Sequence, residues 1–189
     1  MSVMTGNDDS GRQGLSVHDT SGDGAGSASL RGLLTAAGLP ADATVDARRI
    51  GTDDAMVEAI IERIAIGEKT MTYSLPWLTE REGRSEPAPG DLIAVLDARG
   101  APRLLLRLRR VRALRFGDVS AVDVAEEGLP MRDIDAWRPL HVAVWNDKLA
   151  PHGLEVSDDM PVRAEYFELL ADAGSGSGFG TASDPGGAR

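Results

Sequence analysis

Between Asp53 and Ile66 the apolar residues Met56, Val57, Ile60, Ile61 and Ile64 recur every three or four positions, the period of a helix with one buried face. Thr52 or Asp53 can cap its start, acidic residues occupy its first turn, and Gly67 can supply a left-handed C-cap. Further on the period changes. "DLIAVLDARG" predicts a strand with a turn at Asp97 to Gly100, and "PRLLLRLRRVRAL" predicts its hairpin partner. Leu104, Leu106 and Leu108 alternate toward one face; the doubled Arg109 and Arg110 shift the phase and Val111 takes up the apolar side, which predicts a bulge or bend. "MPVRAEYFELL" sets Val162, Ala164 and Tyr166 against Arg163, Glu165 and Phe167, and reads as a closing strand.

Other stretches are shorter. Ser29 to Ala37 predicts a helix with Leu30, Leu33 and Leu34 on one face, ended by Gly38 and Pro40. "TEREGRSEPAPGD" reads as an exposed loop and "SAVDVAEEG" as a short helix. Trp137, Leu140, His141, Val144 and Trp145 again have helical spacing, although Pro139 favours a break or a first-turn position there. The resulting organisation is a disordered tail over 1–28, a short helix and linker over 29–44, a folded unit over 45–170, and a disordered Gly/Ser-rich tail over 171–189. The folded unit is an α+β mixture, too poor in long βαβ repeats for a dinucleotide fold.

Composition narrows the function. A chain of 189 residues, 42% of them apolar, can bury one sizeable core. Its formal charge of -10 argues against a protein that coats polyanions indiscriminately. The charge is uneven: no acid occurs between Asp97 and Asp118, while Arg103, Arg107, Arg109, Arg110, Arg112 and Arg115 crowd that interval. The absence of cysteine excludes disulfides and thiolate chemistry. No apolar run approaches the roughly 20 residues needed to cross a bilayer, and a soluble, cytoplasmic protein is expected. His18, His141 and His152 are scattered without metal-ligand spacing, and "GSGSGFG" lacks the lysine and the strand-to-helix context of a phosphate loop. Neither a metal nor a cofactor is expected.

The candidate chemistry centres on "GEKTMTYSLPW", residues 67 to 77. In an extended segment Thr72 and Ser74 point the same way, placing two hydroxyls near the Lys69 amine. Trp77 and Trp137 could stack on a base. Arg138 and His141 of "WRPLH" offer an anion donor and a group that titrates near neutrality. Arg107 with Arg109, and Arg110 with Arg112 beyond the phase shift, could line one concave surface for phosphates or meet an acidic protein partner. The alternative is a solvated face paired with the acids of "REGRSE" and "DVAEEG".

Five separated blocks, "IAIGEKTMTYSLPW", "PGDLIAVLDARGAPRLLLRLRRVRALRF", "AEEG", "WRPLH" and "DDMPVRAEYFELL", together resemble the ASCH domain family over about residues 57 to 170. The resemblance implies a PUA-like fold, a small mixed β pseudo-barrel flanked by helices, with a cleft that takes RNA, a nucleoside or a nucleotide. It also implies an alternative, since some relatives are metal-independent hydrolases. Small members deacylate N4-acetylcytidine with the lysine and threonine of a "KTxT" motif and a later glutamate, and a ribonuclease activity is known in the superfamily. Lys69 and Thr72 match the first two groups. Arg107 stands near the position expected for the glutamate, so the acid would come from Glu127 or Glu165. Oligomeric state is not implied.

Overall fold

The structure, a computed structural model, describes residues 30–175. The tail over 1–28 and most of the tail read from 171 onward lie outside these residues. Five strands form one mixed sheet in the order β1-β3-β4-β5-β2: β1 (Val45–Arg48), β2 (Met71–Ser74), β3 (Leu92–Leu96), β4 (Pro102–Arg115) and β5 (Pro161–Asp172). Only β1 and β3 run parallel; the remaining pairs are antiparallel. The long hairpin partner and the closing strand are the spine of the sheet. Their ladder skips Arg109, since Leu108 faces Phe167 and Arg110 faces Tyr166. This is the predicted bulge, and it restores the apolar phase at Val111.

Helices cover both faces. In α2 (Asp54–Ala65) the Asp53 side chain caps the Met56 N–H at 2.9 Å. Its buried Val57, Ile61 and Ile64 pack on Ile93, Val95, Leu104, Leu106, Leu108 and Phe167. On the opposite face α4 (Ile134–Leu149) sets Trp137, Trp145 and Leu149 against Met71, Tyr73, Val162, Ala164 and Tyr166. The short α1 (Leu30–Ala36) docks Leu33 and Leu34 on Leu105 and Ala171.

The structure departs from the sequence reading in several places. "SAVDVAEEG" is a series of turns, held by Asp123 accepting from the Ser120 hydroxyl at 2.6 Å and by its own capping bonds, with no helical run. The segment read as a loop from Thr79 begins inside α3 (Pro76–Arg81), where Pro76 takes the first turn, a position that needs no N–H. β1 was not anticipated. Pro139 sits within an unbroken α4; the carbonyl its missing N–H would have served belongs to Asp135, in the exposed first turn. β5 continues to Asp172 and is followed by a 3-10 turn, Ala173–Ser175.

Candidate functional site

One cleft of about 810 Å³ opens along β2, between α2 and α4. Thr72, Tyr73, Ser74 and Leu75 all line it, although successive strand residues point to opposite faces. A hollow that touches four in a row must run along the strand's edge, and β2 has a neighbour, β5, on one side only. One wall is Met56, Ile60 and Arg63 of α2; the other is Leu140, His141 and Val144 of α4. Residues 47 to 52, from the end of β1 onward, and Leu129, Pro130 and Met131 complete the lining.

Two buried ion pairs stand at its floor. Lys69 meets the Glu127 carboxylate, and the two side chains are 6% and 3% exposed. The other Glu127 oxygen accepts from Trp137 Nε1 at 3.4 Å. Glu165, fully buried, accepts from Arg48 Nη1 at 2.6 Å and from the Ser74 hydroxyl. Arg48 also gives Nε to Asp46 at 2.6 Å. Burial opposes the charge on Arg48, yet Glu165 and Asp46 outweigh it and hold the guanidinium above its ordinary range. Thr72 lies opposite Glu165 in the β2–β5 register, so its side chain rises from the sheet face that carries Glu165 and Ser74.

His141 is fixed from several directions. Its ring stacks on Trp137 with centroids 4.1 Å apart and meets the edge of Trp145 at 4.9 Å. Its Nδ1 lies 2.8 Å from the Trp137 carbonyl. Burial lowers its pKa from 6.5, with Glu127 opposing and Lys69 assisting. Tyr73, whose hydroxyl donates to the Asp123 carbonyl at 3.0 Å, is pushed far above the usual tyrosine range by burial and by Asp123.

Of the residues singled out in the sequence, Lys69, Thr72, Ser74, Glu127 and His141 share this cleft. Others do not. Trp77 belongs to α3, packs 5.1 Å from His152 and borders a separate small hollow with Glu80 and Arg81. Trp137 is wholly buried beneath His141 and offers no face to a base. Arg138 spends its guanidinium on the carbonyls of Phe116 at 3.1 Å and Val119 at 2.9 Å, a clamp on the turn after β4. No arginine of β4 lines the cleft. Arg107 pairs with Glu168 at 3.4 Å, and Arg112 with Asp123 at 2.9 Å. Burial pushes the Asp123 carboxyl up, but the Ser120 hydroxyl and N–H, and after them Arg112, hold it below its usual range. Arg110 lies 3.8 Å over the Tyr166 ring. Arg109 is exposed on the bulge.

The cleft's cations come from elsewhere. Arg48, Arg49, Arg63, Lys69, Arg84 and Lys148 line it against Glu82, Glu127 and Asp147. Arg49 is held by Asp54 at 2.8 Å and Arg84 by Glu82 at 2.7 Å; Arg63 and Lys148 make no ion pair among the described residues. Sequence reasoning missed Arg48 because "VDARR" carries no strand signal, and Arg63 because it reads as the solvated side of α2. Among the described residues no cluster of three or more metal-ligating side chains occurs, and no helix is long and apolar enough to cross a membrane.

A mixed five-stranded sheet with helices on both faces and a cleft at one edge strand defines a PUA-like α+β domain. The sequence profile of the ASCH domain matches residues 47–171, and the chain belongs to that family. Its fold is similar to the ASCH domain from Lactobacillus crispatus JV V101, at 23% identity and a TM-score of 0.62, over 67% of this chain and 79% of that one. It is also similar to protein EF3133 from Enterococcus faecalis V583, at 25% identity and a TM-score of 0.64, over 74% and 83% of the two chains. A comparison with curated proteins finds no match.

Proposed function

We propose that the cleft binds a nucleoside or nucleotide, free or as part of an RNA chain. The observation that carries this reading is the convergence of the Thr72 and Ser74 hydroxyls, the Lys69 amine and the His141 imidazole on one concave space with apolar side walls. Its volume falls within the roughly 300–1,000 Å³ of small-molecule sites. In this reading the apolar Ile60 and Val144 flank the base, and Arg63 and Lys148, lining residues near the ends of α2 and α4, meet a phosphate. Titration with single-stranded RNA and a panel of nucleosides at low salt tests this. Saturable binding that weakens about tenfold in Thr72→Val is expected; no saturable binding by any of them would end the proposal.

A second reading is favoured by one observation: the Lys69–Glu127 pair and Thr72, the three groups implied for acyl-cytidine hydrolysis, line the same cleft. In this reading the Thr72 hydroxyl gives its proton to Lys69 as Lys69 gives one to Glu127, and Oγ1 adds to the amide carbon. The C–N bond breaks as the leaving amine takes up the proton, and water then cleaves the acyl ester to a carboxylic acid. Lys69→Met should abolish turnover of N4-acetylcytidine while the protein stays folded; full activity in that variant would exclude the mechanism.

A further inference from the structure

We infer that His141 acts in the cleft as a hydrogen-bond acceptor through Nε2, so that a ligand bound there must bring an N–H or O–H donor to it. The inference rests on the reading that the cleft binds a nucleoside, and it names which chemical edge of that ligand is read. A carbonyl oxygen can only accept, so the 2.8 Å contact between Nδ1 and the Trp137 carbonyl puts the ring proton on Nδ1. In the neutral ring the lone pair then lies on Nε2. Burial holds the ring neutral near physiological pH.

The ring cannot turn to exchange these roles. The nearly parallel stack on Trp137, inclined by 23°, and the edge contact with Trp145, at 71°, fix its plane. Flipping it would put Cδ2–H in place of Nδ1–H against the Trp137 oxygen and lose that hydrogen bond. One nitrogen is thus committed to α4, while Nε2 has no protein partner among the described residues and the ring borders the cleft. The other polar groups there differ in kind: Lys69 donates only, Ser74 already donates to Glu165, and Thr72 can do either. The carboxylates of Glu82, Glu127 and Asp147 accept as charged groups; His141 is the uncharged side chain of the cleft that offers a lone pair with no proton to donate beside it, and an acceptor left unmet in a bound complex costs affinity.

The test compares ligands with and without the donor, at pH 8, on wild type, His141→Phe and His141→Gln. The pairs are cytidine with N4,N4-dimethylcytidine, uridine with 3-methyluridine, and adenosine with N6,N6-dimethyladenosine. Phenylalanine keeps the stack on Trp137 and removes the acceptor; glutamine restores an acceptor oxygen; melting curves establish that both variants fold. In wild type, methylation of the ligand that binds should weaken it about tenfold. The preference should vanish in His141→Phe and return in part in His141→Gln. Equal binding of methylated and unmethylated ligands in wild type, or an undiminished preference in His141→Phe, would overturn the inference while leaving the cleft a nucleoside site. Absence of all binding in wild type would overturn the nucleoside reading and the acceptor role with it.

Discussion

Replacing Glu127 by glutamine, and Lys69 by methionine, separately and together, probes whether the pair at the cleft floor behaves as a buried one. Its side chains are 6% and 3% exposed. At that depth neither partner can fall back on water, and removal of one leaves a charge or a polar group without compensation. Breaking such a pair costs about 3–5 kcal/mol, against about 0–1 kcal/mol for an exposed one. Glutamine keeps an oxygen for the Trp137 indole, 3.4 Å away in the native protein, so the lower end, about 3 kcal/mol, applies to Glu127→Gln. Lys69→Met should cost a similar amount, because the carboxylate is then stranded beneath the aromatic cluster. The double variant leaves no isolated charge and should cost no more than either single change, a coupling of about 3 kcal/mol. Urea denaturation gives all four stabilities, provided the slope with denaturant is unchanged. Single changes costing under about 1 kcal/mol, or a double variant equal to the sum of the two, would refute the assignment of these groups as a coupled buried pair.

His141 predicts a pH effect. Its folded pKa lies below its unfolded value of 6.5, so the unfolded chain binds the proton more readily and stability is lost as pH falls from about 6.5 through the folded pKa, by at most about 1.4 kcal/mol per pH unit. That component should be missing from His141→Phe in denaturation curves recorded between pH 7 and 5. Gly51→Ala should destabilise by about 1–3 kcal/mol, since φ is +126° and a Cβ would sit 3.0 Å from Val57 Cγ2 and its backbone nitrogen. The same loop lines the cleft, so ligand affinity should fall with it. Arg109→Ser should change stability by no more than about 0.5 kcal/mol and leave nucleoside affinity intact; a tenfold loss of affinity would show that the bulge communicates with the cleft.

What the sequence revealed was local, and what it concealed was long-range. The period of α2, the cap at Asp53, the hairpin and the phase shift at Arg109 are statements about neighbours within a few residues, and each appears in the structure. Thr72 and Ser74 share a face by strand parity, a local rule, whereas Lys69, before β2, reaches the same cleft beside Glu127. The role of β4 was misread because its arginines find acids at positions 123, 159, 168 and 172, and no local pattern announces such partners. Glu165 was a candidate acid without a visible partner; it is fully buried because Arg48, 117 residues earlier, neutralises it there. Four-residue β1 carries too little hydrophobic pattern to be seen before its partner β3 is known.

The helix preceding β1 bears on how this domain can be cut. Any version started at the family border, residue 47, would discard α1 and half of β1. Leu105 and Ala171 would then face water, forfeiting cover from two leucines that contribute about 1.5–3 kcal/mol apiece. Asp46, one of the two acids that orient Arg48, would go as well. A shortened protein of this kind should melt earlier and aggregate, whereas one begun at residue 29 should keep both its solubility and the set of its cleft arginine.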